Sequence, residues 1–127
     1  MKRFTLFFRL FSRFRYPVAL PEDVAKALGI CLCNSLAFDE FVHRLTRSSC
    51  RSKRLIKFMP RQEAEKAFIK AQRKERFGKN TLFSYYFTEG WLEFDLQFDS
   101  EARLRRLYVQ HCSIKNDHGI EIQLSRQ

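Results

Sequence analysis

Glycine and proline are scarce in this chain, with four and three among 127 residues. That poverty excludes collagen-like, linker-like and low-complexity architectures and leaves few positions for sharp turns. No apolar run approaches the 18 residues that a membrane-crossing helix requires. The four cysteines (Cys31, Cys33, Cys50 and Cys112) show neither a disulfide framework nor the two-to-four-residue spacing of zinc ligand pairs. Reduced thiols and no bound metal are the expectation. A glycine-rich phosphate loop and a nucleophile–histidine pair at recognisable spacing are also missing, so no cofactor and no enzymatic activity are expected.

Aromatic rings and positive charge are plentiful instead. Fourteen phenylalanines supply a core of side chains with only two torsions each to fix, in one domain spanning 1–127. The formal net charge is +10 and unevenly placed: residues 44–80 carry thirteen Lys and Arg against three Glu, while the flanking segments are close to balance. An excess concentrated in this way speaks of partners rather than of fold.

Helical spacing dominates the first half. Phe4, Phe7, Phe8, Phe11 and Phe14 share one helical face, away from Arg9 and Arg13, until Tyr16-Pro17 ends the pattern. Residues 1–16 thus read as a basic, aromatic, amphipathic helix that is either docked on the sheet or the other helices, or separable. FTLFF is cut by Arg9, which argues against a secretory signal. A second helix starts at Pro21, with Glu22 and Asp23 in its first turn, and stops at Gly29. A third, capped by Asn34 or Ser35, carries Phe38, Phe41, Val42 and Leu45 inward. Residues 46–54 read as a basic loop and 55–59 as a short strand. The longest helix is expected from Pro60 to about Phe77, with Ala64, Ala67, Phe68 and Ala71 inward and Gly78 as its terminator.

After Gly78 the period switches to two. Residues 81–87, 91–98, 103–109 and 120–124 are strand-like and rich in β-branched and aromatic residues. A two-residue loop at Glu89-Gly90 would set Phe87 opposite Leu92, Tyr85 opposite Phe94 and Phe83 opposite Leu96. Leu104 is out of phase with Leu107 and Val109, which predicts a bulge near Arg105-Arg106. The expected fold class is α+β: N-terminal helices packed on one face of a C-terminal antiparallel sheet of about four strands, a meander. The run from Tyr85 to Tyr108, with Phe98-Asp99 leading into the next strand, resembles the small outer-membrane-assembly lipoproteins. That resemblance covers 81–109 and implies two helices before a three-stranded sheet, with no implication for activity.

Two constellations carry candidate chemistry. Glu93 and Asp95 share one strand face, roughly 6–7 Å apart, a separation suited to acid–base work. Asp95 is expected nearly opposite Arg106, so a cross-strand charge ladder accounts for the pair more simply. The stronger signal is the basic region: Arg44, Arg47, Arg51, Lys53, Arg54, Lys57 and Arg61, then Lys66, Lys70, Arg73 and Lys74 on the long helix. Lys and Arg in such numbers neutralise phosphates, with Phe58, Tyr85 or Tyr86 as stacking surfaces. The expectation is a cytoplasmic, non-enzymatic binding or adaptor protein with an anionic partner, nucleic acid first. An anionic membrane surface met by Phe4, Phe7, Phe8, Phe11, Arg9 and Arg13 is the alternative, in a peripheral membrane or secretion-associated adaptor. A protein partner is a further candidate, and the sequence leaves the oligomeric state open.

Overall fold

The computed structural model describes residues 19–30, 37–47, 50–111, 114 and 119–126. Helix α1 spans Pro21–Leu28. The Asp23 carboxylate accepts the Leu20 N–H at 3.1 Å, and Gly29 closes the helix at φ +70°. Helix α2, Phe38–Leu45, buries Phe38, Phe41, Val42 and Leu45, the stripe visible in the sequence. Then follow β1 (Arg51–Ile56), the short helix α3 (Arg61–Lys66), β2 (Arg73–Phe77), β3 (Asn80–Tyr86), β4 (Trp91–Phe98), β5 (Leu104–Gln110) and β6 (Ile120–Ser125).

The strands form one six-stranded sheet in the order β1-β6-β5-β4-β3-β2. Every pairing is antiparallel except β1 with β6, which is parallel. This mixed sheet overturns the expected antiparallel meander of about four strands beneath N-terminal helices, and equally the three-stranded sheet of the lipoprotein resemblance. The two additional strands are the edges. Residues 51–54 belong to β1 rather than to a basic loop, and 73–77 to β2 rather than to the end of a long helix. The inward stripe lasts from Ala64 to Ala71; beyond it the next helical positions, Lys74 and Glu75, have nothing apolar to bury. Pairing with the open edge of β3 then satisfies the backbone. Gly78 accordingly sits, at φ +50°, in the tight turn between Phe77 and its partner Asn80.

The inner face carries Phe83 and Tyr85 opposite Phe94 and Leu92, then Val109 and Leu107 opposite Phe94 and Leu96, with Ile122 beyond. Phe68, just past α3, stacks on Phe83 at 4.7 Å. The buried apolar residues of α1, α2 and α3 join this same cluster. The β3–β4 loop is Thr88-Glu89, closed by Phe87 N–H to Gly90 O at 2.8 Å, so the register differs by two residues from the Glu89-Gly90 expectation. A slip of two keeps every side chain on its expected face. Gln97 pairs Arg106 and Phe98 pairs Leu104, leaving Arg105 as the extra residue of the bulge.

Strand β1 is arched. Arg51 aligns with Gln123 and Ile56 with Ser125, so five steps along β1 match two along β6. Ser52 Oγ holds the arch by donating to Leu28 O at 2.7 Å and accepting Leu55 N–H at 3.0 Å. Ser125 Oγ donates to Ser52 O at 2.6 Å. Beyond β1 the chain reaches β5, where Phe58 N–H donates to Leu104 O at 2.7 Å.

Candidate anion-binding edge

The basic region of the sequence is not one surface. β1 and β2 are opposite edges of the sheet, five strand spacings or about 24 Å apart. On the β2 side the cations are engaged by acids. Glu65 of α3 is buried and accepts from Thr81 Oγ1 at 2.7 Å, Arg76 Nε at 3.0 Å and Arg61 Nε at 3.3 Å, with Lys74 Nζ at 3.4 Å. Burial pushes this carboxyl up, but the hydrogen bonds from Arg76 and Thr81 and the charges of Lys74 and Arg76 outweigh it and hold it at about 2. Arg61 also donates to Gly78 O and Asn80 O and lies 4.9 Å over the Phe98 ring, so it is a structural clamp rather than a surface charge. Arg73 pairs with Glu75, Lys66 with Glu63 and Lys70 with Asp23.

The β1 side differs. Arg44 lies in the last turn of α2, Arg47 follows it, Arg51 opens β1, Lys53 and Arg54 sit on the arch and Lys57 lies just past the strand. All six are exposed, and none is in an ion pair among the described residues. Two successive turns, Arg47 N–H to Arg44 O and Cys50 N–H to Arg47 O, bring Arg44, Arg47 and Cys50 around one cavity of about 290 Å³. Its apolar lining is Ile30, Phe41 and Leu45, its charged lining Arg44, Arg47 and Arg51. Arg51 is held in place by donation to Leu124 O at 2.8 Å. Burial pushes the Cys50 thiol up, away from the thiolate that nucleophilic chemistry needs. Three guanidinium groups over an apolar floor suit a flat or forked anion, since each fork can make paired bonds to phosphate oxygens.

At the other end of β1, Phe58 adopts φ +72°, an uncommon backbone for a bulky residue. Lys57 Nζ lies 5.6 Å and the Arg105 guanidinium 4.7 Å from its ring centre, and Arg103 donates to its carbonyl at 3.3 Å. Arg103 and Arg105 escaped the sequence reading. The phase slip at Leu104 was its only local trace, because the bulge is what frees Arg105 to reach Phe58. Tyr85 and Tyr86, expected as stacking surfaces, are both buried.

The acid–base candidates are placed differently from expectation. Asp95 lies opposite Tyr108, not Arg106, which faces Gln97 and donates to Tyr108 OH at 3.3 Å. The bulge at Arg105 accounts for one residue of that difference, since Phe98 faces Leu104 on one side of it and Gln97 faces Arg106 on the other. Glu93 is buried, on the sheet face away from the helices. Among the described residues no three His, Cys, Asp or Glu side chains are grouped to hold a metal ion. Cys31, Cys33, Cys112 and the candidates Phe4, Phe7, Phe8, Phe11, Arg9 and Arg13 lie outside the described residues. Among those described, no helix is long and apolar enough to cross a membrane. No family model, curated protein or solved structure matches this chain.

Proposed function

We propose that this protein is a small non-enzymatic binding protein of the cytoplasm that holds an anionic partner, nucleic acid first, along its β1 edge. One observation carries the reading: among the described residues the cations at 44–57 have no acidic partner, whereas each of those at 61–76 is in an ion pair. Unpaired arginines and lysines along an edge neutralise phosphates with strong salt dependence and little sequence preference.

The test is a salt titration of the full-length chain against labelled RNA and duplex DNA, with anionic vesicles as a third target. Arg51→Glu, Lys53→Glu, Arg54→Glu and Lys57→Glu together abolish nucleic-acid binding while circular dichroism stays unchanged. Lys66→Glu with Lys70→Glu, on the acid-paired side, leaves it nearly intact. Undiminished binding by the fourfold variant removes the reading, and binding to vesicles alone moves it to a membrane surface.

A further inference from the structure

The two ends of β1 offer more than charge. At its start, the cavity of about 290 Å³ has an apolar floor of Ile30, Phe41 and Leu45 beneath Arg44, Arg47 and Arg51. That volume lies at the small end of ligand pockets, with room for one flat group. Past the other end stands Phe58, only half-buried. Its backbone, at φ +72°, is one that glycine adopts freely and a bulky residue rarely. Hydrogen bonds impose that conformation from both sides: Phe58 N–H donates to Leu104 O at 2.7 Å, and Arg103 Nη1 donates to Phe58 O at 3.3 Å. A bulky ring kept on so unfavourable a backbone marks a candidate functional position. Charge at this end is largely matched, because Arg103 lies 3.7 Å from Glu101 and Arg105 lies 3.6 Å from Asp99. What this end adds is therefore an aromatic surface, backed by the Arg105 guanidinium 4.7 Å from the ring centre.

We propose that the β1 edge selects single-stranded over duplex nucleic acid, with one unpaired base stacked on Phe58 and another nucleotide seated in the cavity of Arg44, Arg47 and Arg51. The inference rests on the basic-edge reading and names which nucleic acid that edge takes. Charge alone favours a duplex, whose phosphates are denser and release more counterions per contact. Base faces are hidden in a duplex stack and are open only in a single strand, where an aromatic ring or an arginine plane can take them. Stacking contributes a factor of roughly ten or more per base, enough to reverse that order. The Lys57 ammonium, 5.6 Å from the Phe58 ring centre on a flexible stem, moves to a phosphate as the base arrives. Arg51 and Phe58 are seven residues apart, at most about 25 Å along the chain, so a strand of about twelve nucleotides reaches both.

The experiment compares a labelled oligothymidine of about twelve nucleotides with a duplex of the same length, at one salt concentration, on the full chain. The single strand binds about tenfold tighter or more. Phe58→Leu keeps the apolar bulk but loses the flat face, and lowers the ratio of the two affinities about tenfold. Phe58→Tyr restores the ratio. In Phe58→Trp, oligothymidine quenches emission that the native chain, with Trp91 alone, does not lose. Should these variants unfold, as circular dichroism reports, the ratio measured on the native protein still decides. Equal or tighter binding of the duplex overturns the proposal, as does a ratio that Phe58→Leu leaves unchanged in a folded chain. If the fourfold charge reversal at Arg51, Lys53, Arg54 and Lys57 then abolishes both affinities, the basic edge survives as a binder of phosphates without the selectivity. Binding of neither probe removes the edge reading and the selectivity together.

Discussion

Glu65 shows how one carboxylate gathers several cations of the basic region around itself. Arg61, Lys74 and Arg76 all reach it, and Thr81 donates to it. Its folded value of about 2 lies below the ordinary 4.5, so the unfolded chain takes up the proton first as acid is added. The stabilisation is therefore complete above pH 4.5 and is lost as pH falls from 4.5 towards 2. Urea midpoints measured across that range should drop steeply for the native chain. Glu65→Gln should lose about 2–3 kcal/mol at pH 7, from charged hydrogen bonds left without their acceptor, and should flatten the acid limb. Tyr85 works in the opposite sense. Its ring is fully buried, and its hydroxyl has no hydrogen-bond partner among the described residues. Burial pushes its ionisation up, with Asp23 adding to the effect and Arg54 opposing it. Tyr85→Phe should be neutral or stabilising by up to about 1 kcal/mol in the same measurement, because it removes an unpaid desolvation.

At the scale of elements, the contact of α1 with β1 turns on Gly29. A Cβ there would stand 2.8 Å from Arg54 N at a backbone of φ +70°, so Gly29→Ala meets both strain and a clash. A loss of about 2–4 kcal/mol follows in chemical denaturation, and the Lys53–Arg54 arch shifts with it. Such local signals were readable from residue order alone. Pro21 and Gly29 bound α1, the Phe38–Leu45 stripe marks α2, and the misplaced Leu104 gives away the bulge. The edge strands were not readable. RSKRLI and RKERF are rich in Arg, Lys and Glu, which favour helices and carry no alternating apolar face. Their strand character comes from partners elsewhere in the chain: β6 for β1, and a hairpin to β3 for β2. The same limit applied to the site. The number of cations was plain in the sequence, but their division between Glu65 and solvent depends on which face of β2 Lys74 and Arg76 occupy.

For the whole molecule, both exposed edges of the sheet carry clustered positive charge, which discourages pairing with another chain. Protection of this kind needs charge of either sign, whereas phosphate binding leaves a measurable count of displaced counterions. Each duplex phosphate neutralised adds about 0.9 to the slope of log K against log salt. Arg44→Ala with Arg47→Ala should therefore reduce that slope by roughly two, at unchanged stability, if both guanidinium groups meet phosphates. Lys66→Ala with Lys70→Ala should leave the slope where it was.

The parallel pairing of β1 with β6 also sets an order of events. Arg51 depends on Leu124 O for its position and Ser52 on Ser125 Oγ, some seventy residues further along. Contacts of such range form late and slow the overall reaction. On a ribosome delivering about 5–20 residues each second, several seconds pass between the emergence of β1 and that of its neighbour. The arginine-rich edge is thus the last part of the sheet to take shape. A nascent chain stopped short of residue 120 would carry the charges of β1 without the strand that aligns them.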